Sequence, residues 1–158
     1  MKCTLSQMRE LAKELPEEND WSWWVENQDN VRLQKKEVDR FLRLVKKSPD
    51  EFFFLELAEN LPHNERNRFK FQCAAREAYL LAGLDGHDYI HTARETASGF
   101  EVLLCVSVKN HLFPEKKPLK TGFEKRVKTE LRKLLAADEP SLYEILGAEE
   151  FKALTGRG

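Results

Sequence analysis

Apolar residues recur at helical spacing along most of this chain, and the period changes to that of strands, with both faces partly apolar, between Tyr89 and Lys109. Leu5, Met8, Leu11 and Leu15 form a first helical stripe, opened by the capping-box spacing of Thr4-Leu5-Ser6-Gln7 and stopped by Pro16. A second helix is expected after Asp29 or Asn30, with Val31, Val38, Phe41, Leu42 and Val45 on one face and Lys35, Asp39, Arg43, Lys46 and Lys47 on the other. Ser48-Pro49-Asp50-Glu51 then places an N-cap serine, a proline at the first helical position and two acids where the helix dipole favours them. It predicts a third helix through Phe52–Phe54 to about Asn60.

The fourth predicted helix, roughly Asn64 to Ala82, is apolar or small around most of its circumference from Phe69 onward, with only Gln72, Arg76 and Tyr79 as a polar strip. A helix of that kind is usually covered on several sides. Gly83 and Gly86 end it. Tyr89–Thr96 and Phe100–Lys109 read as two strands joined by Ala97-Ser98-Gly99 in a tight hairpin. An isolated hairpin is marginal in water, so it must pack on helices or gain a strand, from a second copy of the chain if need be. An extended linker with Pro114 and Pro118 leads to an amphipathic helix over Thr121–Ala136, whose apolar stripe is Phe123, Val127, Leu131, Leu134 and Leu135. Ser141-Leu142-Tyr143-Glu144 opens a short helix that stops at Gly147, and a last one is expected around Glu149–Leu154.

The expected fold is therefore one helix-rich α+β domain spanning residues 1–158. About six helices surround a central buried helix (69–82), with one antiparallel β-hairpin (89–109) packed against them. Core positions on this reading include Leu11, Val38, Leu42, Phe53, Leu57, Phe69, Cys73, Leu80, Leu104, Val106, Val127, Leu131 and Leu134. A length of 158 residues suits one domain, and 41% hydrophobic content with ten Phe suits a packed core. The longest apolar runs, Phe52–Leu55 and Val102–Val106, are too short for a bilayer span of ~20 residues. The charged amphipathic stretch after Met1 does not resemble a signal peptide. Three widely spaced cysteines, Cys3, Cys73 and Cys105, suit reduced thiols better than a disulfide framework. A soluble, cytoplasmic protein is expected.

Charge is unevenly placed. Residues 109–137 hold nine Lys/Arg against three Glu, whereas residues 1–60, 61–108 and 138–158 sum to −3, −1 and −3. The basic segment divides the acidic remainder, with subregions 109–136 (basic linker and helix) and 138–155 (acidic helices). Lys116, Lys117 and Lys120 in the linker lead into Lys125, Arg126, Lys128, Arg132 and Lys133 on one helix face. Such a surface suits phosphates or an acidic protein and would bind with strong salt dependence. Arg66, Arg68 and Lys70 would extend it if the two helices are neighbours. The alternative is a solvated face softened by Glu124–Lys128 and Arg126–Glu130 pairs.

Trp21, Trp23 and Trp24, set among acids, offer a second surface, since tryptophan is enriched at binding hot spots. They would equally well pin an irregular segment to the core. His87-Asp88-Tyr89-Ile90-His91 has zinc-like spacing only on a helix, and on a strand its ends lie ~13 Å apart. No metal or cofactor is expected. His91, Arg94, Glu95 or Glu101, Lys109 and His111 on or beside the hairpin are the raw material for a metal-independent nuclease. Cys73 and Cys105 show no sign of thiolate activation. No Gly-rich phosphate loop, Gly-x-Ser-x-Gly, Ser/His/Asp or His-Glu-x-x-His pattern is visible in the sequence. The reading favoured is a small non-catalytic binding or regulatory protein using the 116–133 segment. The alternatives are an adaptor or homo-oligomer that uses Trp21–Trp24 or the hairpin edge, and a nuclease on the hairpin.

Overall fold

The computed structural model describes residues 23–29, 33–137 and 145. The chain runs β1 (Trp23–Asn27), α1 (Lys35–Lys47), one 3₁₀ turn (Pro49–Glu51), β2 (Phe52–Glu59), α2 (Glu65–Leu81), β3 (Tyr89–Glu95), β4 (Phe100–Ser107) and α3 (Phe123–Ala136). The expectation of six helices around a simple hairpin is overturned: the described residues hold three helices and a four-stranded antiparallel sheet of order β1-β3-β4-β2. The predicted helices over residues 5–15, 141–147 and 149–154 lie outside the described residues. Two compact units are distinguished, one from residues 1–61 with 86–118 and the other from 62–85 with 119–158.

In the first unit the largest correction falls on residues 52–59, expected as a helix and found as β2. Ser48-Pro49-Asp50-Glu51 does start a helical turn, but it lasts only three residues. Three consecutive phenylalanines then favour the pleated strand. Alternation sends Phe52 and Phe54 to one sheet face and Phe53, Leu55 and Leu57 to the other. The tryptophan segment is likewise a strand: Trp23 and Trp24 open β1 and stand opposite Arg94 and Ala93 of β3.

The predicted hairpin is present as β3 and β4, but at the centre of the sheet. Its partners on either side come from the same chain, β1 beside β3 and β2 beside β4. Neither hairpin strand is therefore an open edge for a second copy.

Helix α1 lies on one face of this sheet. Val38, Leu42 and Val45 form a buried cluster with Val25, Ile90, Leu103 and Cys105, rimmed by Leu33, Phe41, Phe52 and Phe54. Phe41 meets Phe52 edge-on, with ring centroids 5.7 Å apart. The other face, with Leu55, Leu57, His91, Ala93, Val102, Leu104 and Val106, is equally buried.

The hairpin turn closes with Thr96 N–H donating to the Gly99 carbonyl (2.8 Å) and Gly99 N–H to Thr96 Oγ1 (3.1 Å). A Cβ on Gly99 would run into the Glu59 carbonyl and come within 2.8 Å of Asn60 Cα and Leu61 N. Backbone cannot step aside as a side chain can. Gly99→Ala is expected to cost about 1–3 kcal/mol, read as a lower midpoint of chemical unfolding.

In the second unit α2 bears out its expected span. The Asn64 side chain accepts from Asn67 N–H (2.8 Å) to cap the start. At the other end Gly83 adopts φ +92°, while Gly83 and Leu84 donate to the carbonyls of Leu80 and Tyr79. That is a Schellman close, and its left-handed residue is why glycine stands there. Residues 73–80 are all buried, so the helix is covered all round, including Arg76 and Tyr79 of the supposed polar strip. Phe69 corrects the predicted core: it is 57% exposed. Helix α3 packs beside α2 and buries Phe123, Val127 and Leu131. Leu134 is half-buried.

Candidate functional site

The buried stripe of α3 fixes which of its residues face outward. At 3.6 residues per turn, Lys125, Arg126, Lys128, Arg132 and Lys133 fall on the half opposite Phe123, Val127 and Leu131. Lys125, Arg126, Arg132 and Lys133 are exposed and Lys128 is half-buried. Glu124 and Glu130, both half-buried, fall at the borders of the stripe, so no carboxylate of α3 interrupts the basic half. Lys120 is exposed just before the helix.

The neighbouring-helix condition on Arg66, Arg68 and Lys70 is met. Lys70 Nζ donates to the Ala137 carbonyl at the end of α3 (2.7 Å), where a cation also suits the helix dipole. Arg66 is exposed and Arg68 half-buried on the same amino-terminal part of α2. The described residues of this unit hold ten Lys/Arg and five Asp/Glu. Lys116 and Lys117 are exposed too, but they belong to the first unit, where the Lys116 ammonium lies 4.3 Å from the centre of the Phe113 ring. Of the tryptophan surface, Trp21 lies outside the described residues, and Trp23 and Trp24 begin an edge strand.

The set imagined for a nuclease is not assembled. His91 points to the sheet face opposite α1 and is fully buried. Arg94 points to the other face, where its guanidinium pairs with Glu101 (2.9 Å). Lys109 reaches Glu51 (3.5 Å). Among the described residues no group of three His, Cys, Asp or Glu is placed to hold a metal ion.

A different polar network, invisible as a sequence motif, closes one end of the sheet where β3 starts and β4 stops. Ser107 N–H donates to the Asp88 carbonyl (2.8 Å). Its own carbonyl accepts from His87 Nδ1 (2.8 Å), which fixes the His87 tautomer as Nδ1–H when neutral. The Ser107 hydroxyl is 2.9 Å from His111 Nε2, and His111 Nδ1 is 3.3 Å from Asp88 Oδ2. Gln28 holds Asp88 from behind. Its Nε2 donates to Asp88 Oδ1 (3.2 Å) while its Oε1 accepts from Tyr89 N–H (3.2 Å).

Burial pushes the His87 pKa below the ordinary 6.5, and the nearby His111 adds to this. The carbonyls of Ser107 and Lys109 and the Asp88 carboxylate oppose the shift. The unfolded chain therefore binds this proton more readily than the folded one. The contribution of His87 to stability is complete above pH 6.5 and is lost as pH falls below it. His87→Gln is expected to flatten the decline in unfolding midpoint below pH 6.5, measured by urea titrations at stepped pH.

No protein-family model, curated protein or solved structure matches this chain. Among the described residues no helix is long and apolar enough to cross a membrane.

Proposed function

We propose that this chain is a binding protein that takes a nucleic acid on the basic half of α3, with Lys120 and the amino-terminal part of α2 extending the surface. One observation carries the reading: the cations of α3 occupy its outward half with no carboxylate of that helix among them, while its apolar stripe is already buried. A helix anchored on one side, with cations and no carboxylate on the other, presents ammonium and guanidinium donors to phosphates. The near-neutral net charge of −1 gives no long-range attraction for the chain as a whole, so affinity would come from this patch and not from bulk charge.

Fluorescence anisotropy of labelled single- and double-stranded oligonucleotides across a salt series tests it. Neutralising about six phosphates predicts that affinity falls on the order of 10²–10³-fold between 50 and 200 mM salt. Binding that ignores salt, or none at low salt, would return α3 to a solvated face.

A further inference from the structure

We infer that Ser107, His111 and Asp88 form a nucleophilic centre able to cleave small-acyl carboxylic esters, a site separate from the basic face of α3. The ring nitrogens take the roles that acyl transfer requires. Ionised Asp88 can only accept, so His111 Nδ1 carries the proton across the 3.3 Å contact, which leaves the Nε2 lone pair facing the Ser107 hydroxyl at 2.9 Å. Ser107 Oγ also lies 3.4 Å from the Lys109 carbonyl, a longer and competing acceptor for its single proton. The base is in turn oriented by a third group, as an activated nucleophile needs. Asp88 is itself held by Gln28, and both backbone polar groups of Ser107 are bonded, to Asp88 and His87. Ser107 is thus fixed at the end of β4 and Asp88 just before β3, while His111 reaches both from the bend that follows β4.

Exposure sets the substrate. His111 and Asp88 keep 48% and 44% of their side-chain surface open to water, whereas Ser107 is only 4% exposed. A proton can therefore leave or arrive freely at the imidazole, but only a slim acyl group reaches the hydroxyl. In the first step Ser107 Oγ bonds to the ester carbonyl carbon as its proton passes to His111 Nε2. The tetrahedral adduct then expels the alcohol, which takes that proton. Water next attacks the acyl-serine, gives a proton to His111 Nε2, and the carboxylic acid leaves as Ser107 recovers its hydrogen.

The full chain incubated with a small fluorophosphonate should be labelled once, on the peptide holding Ser107, and should hydrolyse p-nitrophenyl acetate. Ser107→Ala should abolish the labelling, and His111→Gln, which keeps a polar side chain without a base, should slow turnover by roughly 10²–10⁴-fold with circular dichroism unchanged. If the network is only a staple for the sheet end, these variants would lower the unfolding midpoint and leave ester hydrolysis as it was. That result, or label found elsewhere on the chain, would overturn the inference. Nucleic-acid binding should be unaltered in both variants, so this inference and the proposed binding function fail independently.

Discussion

Lys125→Glu/Lys128→Glu/Arg132→Glu should weaken oligonucleotide binding by on the order of 10²-fold or more at low salt, while the circular dichroism spectrum stays that of the parent. The size of the effect follows from electrostatics alone. Three phosphate contacts are lost and three carboxylates are set where phosphates would lie, on a helix face whose remaining cations are Arg126 and Lys133. The salt slope should fall by roughly two to three, because each neutralised phosphate contributes about 0.7–0.9. Stability should hardly move: Lys125 and Arg132 are exposed, Lys128 is half-buried, and none belongs to the Phe123–Val127–Leu131 stripe. Surface substitutions of this kind usually stay within about 0.5 kcal/mol. A drop in binding that accompanied unfolding would point to packing and not to charge.

Leu104→Ala should destabilise the chain by about 2–5 kcal/mol, whereas Phe69→Ala, which removes a larger side chain, should cost far less. Leu104 is fully buried at the middle of β4, directly between His91 of β3 and Leu55 of β2. Removing it leaves a cavity that paired strands on both sides cannot collapse to fill. Phe69 is mostly in water already, so its truncation removes little buried surface. The pair is read as two urea unfolding curves. Equal shifts would mean that Phe69 is buried, as the largely apolar helix circumference that begins with it suggests.

That comparison also marks what the sequence could and could not reveal. Where the local signal and the tertiary demand agree, the elements are legible: Asn64 and Gly83 bracket α2, the turn at residues 96–99 joins β3 to β4, and Phe123, Val127 and Leu131 of the α3 stripe are buried as their spacing predicts, with Leu134 and Leu135 half-buried. Residues 48–59 show the opposite case. Pro49, Asp50 and Glu51 make a sound helical start, yet a start signal cannot compel continuation. The run Phe52–Leu57 buries apolar side chains toward both sheet faces, which an extended strand between β4 and solvent does and a surface helix does not. Trp23 and Trp24 mislead similarly, because a five-residue edge strand shows too little alternation to be told from a loop.

The α3 surface was readable because five cations lie on one helix within nine residues, so periodicity alone assigns their face. The Ser107, His111 and Asp88 contacts were not. Asp88 and His111 are 23 residues apart, and Ser107 meets His111 only because the chain bends after β4. No linear spacing encodes that meeting. It depends on β3 and β4 being paired so that the start of one lies beside the end of the other.

The most direct test of the central claim is a titration of the ¹⁵N-labelled chain with a single-stranded oligonucleotide, followed by amide chemical shifts at low and then physiological salt. Perturbations concentrated in residues 120–133 and 66–70, fading as salt rises, are expected. Perturbations confined to β1, or amides on α3 unmoved while others shift, would contradict it.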